Sequence, residues 1–137
     1  MLFYYMSTAP KIDNVHYDET CPIMDRDQID TLILGDVGDT DNSLVRELFD
    51  LFVNEGATKL EALPTVCAKG DLLELRNIVH FIVGSACHLG LVRLAAFYHA
   101  IERAVDEQQL TDITEVEAPI RREFELAREA FRADFNL

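Results

Sequence analysis

The stretch that decides the fold is DLLELRNIVHFIVGSACHLG, residues 71–90. At about 100° per residue, Leu72, Leu75, Ile78, Val79, Ile82, Val83, Ala86 and Leu89 fall within about 140° of arc, which is the apolar stripe of a core-facing helix. Asp71 and Glu74 have the spacing of a capping box at its start, and Gly90 is a natural stop. His80 lies about 130° from the centre of the stripe, so it is expected to face solvent. Arg76, Gly84, Cys87 and His88, at i−4, i+4, i+7 and i+8, share its face or edge. A glycine inside a helix costs roughly 0.5 to 1 kcal/mol relative to alanine. Beside an exposed histidine it also removes the side chain that would crowd the imidazole, which reads as access for a partner.

On the N-terminal side, KG at 69–70 ends a longer apolar pattern. Leu44, Val45, Leu48, Phe49, Phe52, Val53, Leu60, Leu63, Val66 and Cys67 repeat at spacings of three and four, the mark of an amphipathic helix. Gly56 and Pro64 interrupt it. A proline in a helix interior removes a hydrogen bond and clashes one turn back, so a bend or break is expected near Pro64. The turn GDVGDTDNS before this helix offers Asp41, Asn42 or Ser43 as caps. Before the turn, Ile29, Leu32 and Ile33 suggest a short helix over residues 25–34, stopped by Gly35. Residues 1–23 show no period and read as a flexible arm, leaving residues 24–137 as one helical domain. MLFYYM is too short for a signal segment, and Met6 opens a more ordinary start, so the first five residues are expected to be a start-site artefact.

On the C-terminal side, Leu91, Leu94, Ala95, Tyr98, Ile101 and Val105 carry a helix over about 91–108, whose register is expected to leave Arg93, Glu102 and Arg103 in solvent. A last helix, about 115–134, has Ile120, Phe124, Ala127, Ala130 and Phe131 as its stripe, with Pro119 in the first turn. No segment alternates with period two. The chain is therefore expected to be all-α, an antiparallel up-down-up-down four-helix bundle with a short extra N-terminal helix.

Composition excludes several functions. Among 137 residues, 25 acidic against 12 basic side chains give a net charge of −13, which repels nucleic acid and anionic lipid. No run of about 20 apolar residues could span a membrane. Cys21, Cys67 and Cys87 are odd in number and lack zinc spacing, so they read as free thiols of a reducing cytoplasm. No phosphate-binding loop, HExxH pair or inward ExxH carboxylate motif is present, so no metal site and no independent catalytic site are expected. An exposed neutral imidazole is nonetheless a nucleophile near neutral pH. It can take a phosphoryl group when a partner supplies the metal and the positioning.

The run HFIVGSACHLG, residues 80–90, resembles the histidine phosphotransfer (HPt) domain pattern, approximately HxLKGSxxxxG. The likeness extends over about residues 26–134 and includes LVRLAAFYHAIE, where the family has a Leu-Ala-rich helix ending in Leu-Glu. The resemblance implies a phosphorelay intermediate with His80 as phosphoryl acceptor and Arg76, Gly84 and Ser85 in support. Phe81, with Cys87 and His88, would lie in a docking patch. The implied partners are a receiver-domain aspartate, which would bring Mg²⁺, and another receiver or a hybrid histidine kinase. The chain itself would carry no cofactor and act as a cytoplasmic monomer. One residue departs from the pattern: Val83 stands where the family has a lysine able to neutralise phosphoryl oxygens, and Arg76 is the substitute cation. The alternative implied by Val83 is a docking module that binds receivers without efficient transfer.

Overall fold

The computed structural model describes residues 8–29 and 43–137. Among them, a short 3-10 turn at Arg26–Gln28 precedes α1 (Ser43–Leu60), α2 (Leu63–Lys69), α3 (Leu72–His88), α4 (Val92–Asp106) and α5 (Glu117–Phe135). Helices α1, α3, α4 and α5 form the expected antiparallel bundle, and no strand occurs among the described residues. Helix α3 is central: it packs against α1, α2 and α4.

Each boundary has a local cause. The long apolar pattern breaks at Glu61 and Ala62, and Pro64 lies in the first turn of α2, where its missing N–H interrupts no helical bond. Gly70 closes α2 in the left-handed conformation, with its N–H on Cys67 O and the Asp71 N–H on Val66 O. That second bond uses the amide a capping-box glutamate would have taken. Asp71 still accepts from the Glu74 N–H at 3.1 Å, so α3 opens with half of the expected box. Gly90, at φ +68°, ends the α3–α4 turn. Its carbonyl accepts from Asp25 N–H at 2.9 Å, and a Cβ on it would sit 2.5 Å from Asp25 O, so any other residue would collide with the incoming chain.

The core runs along α3. Leu75, Ile78, Val79, Ile82 and Ala86 are buried, as their spacing predicts, and Val83 is half-buried against the same cluster. Across the bundle, Phe49 stacks on Phe131 at 4.8 Å and Phe52 meets Phe124 at 5.1 Å, joining α1 to α5. Gly56 does not interrupt α1. It is buried within the helix, and a Cβ there would lie 2.5 Å from the Phe124 ring, so it is the gap into which that ring fits.

Three further expectations need correction. Residues 8–23, read as part of a flexible arm, lie on the bundle: Val15 and Ile23 are buried, and Tyr17 packs 5.4 Å from Phe97. Val15, Tyr17 and Ile23 are spaced irregularly, so they escape a periodicity test yet still pack on the bundle, and Met24 and Ile29 are buried beside them in sequence. The helix expected over residues 25–34 is, where described, only the 3-10 turn followed by a lone bridge between Ile29 and Leu89. The rest of that segment, residues 35–42 of the following turn and residues 1–7 lie outside the described residues. Finally, Arg93 and Glu102 are buried and only Arg103 faces solvent. Helix α4 packs on both α3 and α5, so it buries a wider arc than one stripe. Arg93 is matched there by Glu123, with two bonds of 2.9 Å.

Candidate functional site

The outward face of α3 is a strip of Leu73, Asn77, His80, Phe81, Gly84, Cys87 and His88, all exposed. The His80 side chain is 66% exposed in the middle of it, and one nitrogen is engaged: Nδ1 lies 2.9 Å from Glu102 Oε1. Glu102 reaches across from α4 and its side chain is only 9% exposed. An ionised carboxylate only accepts, so the tautomer that satisfies this contact carries its proton on Nδ1. The lone pair is then on Nε2, the nitrogen left to act as a nucleophile. An orienting carboxylate behind an imidazole also stabilises positive charge that develops on the ring.

Glu102 is shared. Arg76 Nη2 is 3.1 Å from the same Oε1, and His99 Nδ1 is 3.8 Å from Oε2. Arg76 is held further by Asp106, one turn beyond Glu102 on α4, with Nε donating at 2.6 Å and Nη2 at 3.1 Å. This bidentate pair pulls the Asp106 carboxyl below its usual range and raises Arg76 further. The expected substitute cation is therefore beside the site but linked to His80 through Glu102.

The other residues expected in the site are placed as follows. Gly84 is exposed one turn after His80, and a Cβ there would meet nothing within 4 Å, so no internal packing requires a glycine. Ser85 is half-buried and donates to Ile82 O at 3.2 Å, bonding its own helix. Phe81 is 40% exposed, with Leu73 and Leu51 as further exposed apolar residues. Cys87 and His88 share the strip, and partial burial raises the Cys87 thiol, which keeps it from being a ready thiolate. No group of three potential metal ligands is brought together among the described residues.

Two neighbours were not legible as such. Glu102 is the glutamate closing LVRLAAFYHAIE, so the resemblance contained it, but the single-stripe reading of α4 turned it to solvent. Lys59 comes from α1, and its Nζ lies 4.7 Å from the Phe81 ring centroid, close enough for a cation–π contact. It shares a groove with Asn54, Glu55, Thr58 and Phe81. Nothing in the α3 motif points to α1, since 22 residues separate Lys59 from Phe81. Lys59 thus brings a positive charge to the flank of a face that lacks one at position 83.

The sequence pattern of the family described as Hpt domain matches residues 47–133. Among solved structures, the chain is similar to the crystal structure of histidine-containing phosphotransfer protein B (HptB) from Pseudomonas aeruginosa PAO1. The TM-score is 0.62 at 22% identity, covering 82% of this chain and 97% of that one. At that identity the likeness speaks for the fold. No curated protein matches.

Proposed function

Because the chain belongs to the Hpt domain family, whose members serve histidine phosphotransfer in phosphorelays, we propose that it is a relay intermediate with His80 as its acceptor. One observation carries the choice of residue: the His80 side chain stands exposed on α3 with Nδ1 fastened to a nearly buried carboxylate, which leaves the lone pair on Nε2. In the proposed step, Nε2 attacks the phosphorus of a receiver's aspartyl phosphate. The N–P bond forms as the acyl P–O bond breaks, and the aspartate leaves as a carboxylate. The proton stays on Nδ1, so the ring gains positive charge opposite Glu102. The receiver supplies Mg²⁺ and the in-line positioning that phosphoryl transfer requires, and the bundle supplies the nucleophile. Onward transfer to a second receiver, or exchange with a hybrid histidine kinase, reverses these bonds.

The surface around His80 suits a protein partner. Phe81 and Leu73 on the same strip offer apolar contact, and the bare backbone at Gly84 allows close approach. No helix among the described residues is long and apolar enough to cross a membrane, and the reading places a monomer in the cytoplasm. The test is incubation with a phosphorylated receiver, followed by detection of acid-labile phosphate on wild type and His80→Gln. Label is expected on the wild type alone, and equal labelling of both would sink the assignment.

Val83 and the capture of Arg76 by two carboxylates support a second reading, a module that docks receivers without efficient transfer. It predicts stoichiometric receiver binding with no phosphate on His80 from any of several receivers.

A further inference from the structure

The cation on His80's own helix face is committed elsewhere. Arg76 lies one turn before His80, and Asp106 grips it by two bonds from the α4 side, at 2.6 and 3.1 Å. Two parallel bonds fix a guanidinium plane in a way that one bond does not. The remaining reach of Nη2 goes to Glu102 Oε1, the oxygen that also holds His80. Arg76, Glu102 and Asp106 together thus bear one negative charge in excess. A phosphoryl group on Nε2 would add about two more. The Val83 side chain brings no charge, and the Lys59 ammonium sits over the Phe81 ring.

We propose that Asp106 is a positioning residue that sets how strongly His80 holds a phosphoryl group: by clamping Arg76 against α4, it withholds that cation from the phosphoryl oxygens and biases the site towards handing the group on. The inference rests on His80 being the acceptor. It assigns a role in the relay to a side chain at the C-terminal end of α4 that touches neither His80 nor any expected partner contact.

The test reads the stability of phospho-His80 without a receiver, by exchange of the full chain with phosphoimidazole. In the ring-protonated donor the P–N bond breaks as Nε2 forms its own, neutral imidazole leaves, and His80 keeps its proton on Nδ1, so atoms and charge balance. Phosphorus NMR at a fixed ratio of phosphoimidazole to imidazole gives the occupancy of His80, with His80→Gln as the background. Asp106→Asn is expected to raise the ratio of phosphorylated to free His80 about two- to fivefold, the range open to an exposed ion pair. Asp106→Glu should stay close to wild type, and Arg76→Gln should fall below it. On the Arg76→Gln background, Asp106→Asn should change the ratio little. An unchanged ratio in Asp106→Asn, or an equal rise with and without Arg76, would overturn the clamp. Failure of the relay reading shows separately, as no exchange with phosphorylated receivers while chemical exchange at His80 still reports the effect of Asp106. Absence of any His80 signal in the wild type would count against both.

Discussion

At the scale of single residues, the site depends on which nitrogen of one imidazole is free. Glu102 settles that by accepting from Nδ1 at 2.9 Å. In Glu102→Ala the acceptor is gone, and the proton divides between the two nitrogens, so the lone pair is no longer confined to Nε2. A hydrogen bond of this kind contributes about 1 kcal/mol, which corresponds to roughly a fivefold slower phosphoryl uptake by His80. The measurement is the transfer rate from a phosphorylated receiver, paired with nitrogen-15 spectra that report the ring tautomer. A wild-type rate together with an unchanged tautomer would show that Glu102 does not orient the ring. His80 itself was legible from the α3 wheel, because an exposed histidine opposite an apolar stripe needs no partner helix to be recognised. Glu102 was not, because its position relative to His80 depends on how α4 is rotated about its own axis.

At the scale of elements, two helix glycines have opposite origins. Gly56 in α1 leaves space for the Phe124 ring, which a Cβ would approach to 2.5 Å. Gly56→Ala should therefore lower stability by about 1 to 3 kcal/mol through overpacking. Gly84 in α3 has open space around its Cβ position. Gly84→Ala should raise stability by about 0.5 to 1 kcal/mol, since alanine is the better helix former, while slowing transfer from receivers. Urea denaturation of both variants, with transfer rates for the second, tests the contrast. A Gly84→Ala protein that exchanges phosphoryl groups at the wild-type rate would show that the glycine is not there for a partner. In sequence both are glycines within helical patterns, Gly56 read as an interruption and Gly84 as an opening. Only Phe124, 68 residues from Gly56, distinguishes them. The break near Pro64 and the stops at Gly70 and Gly90 were legible, since each follows from backbone chemistry within a few residues.

At the scale of the whole molecule, Arg93 and Glu123 tie α4 to α5 through a pair that is 3% and 0% exposed. Burial raises the Glu123 carboxyl, an effect that its hydrogen bonds to Arg93 only partly offset. The folded state therefore holds this proton to higher pH than the unfolded chain does. Stability from this group is full below the usual glutamate range and is lost as pH rises through the folded value. Arg93→Met with Glu123→Leu should abolish that decline and leave the protein as stable as wild type or more so. Glu123→Leu alone should lose about 3 to 5 kcal/mol, because it breaks a buried ion pair and keeps the Arg93 charge in the core. Urea titrations from pH 4.5 to pH 7.5 distinguish these outcomes. A double variant that keeps the wild-type slope would place the pH dependence elsewhere. The N-terminal segment belongs to the same scale: Val15, Ile23 and Met24 are buried, and Val15 and Met24 share one core cluster with residues of helices that follow much later in the chain. Fully burying such side chains contributes about 1.5 to 3 kcal/mol each, so the segment is part of the folded domain.

What the sequence by itself determined was local and periodic: an all-α chain, the α3 register, the helix stops and an exposed histidine beside a glycine. Each depends on dihedral preference or on the 3.6-residue repeat, and both are properties of neighbours in the chain. What only the tertiary structure decided was everything that depends on how two helices are rotated against one another. That includes Glu102 behind His80, Asp106 gripping Arg76, Lys59 over Phe81, Arg93 meeting Glu123, and residues 8–24 lying on the core. The wheel of one helix states which residues share a face. The packing of the others determines whether that face meets solvent, a ring or a charge.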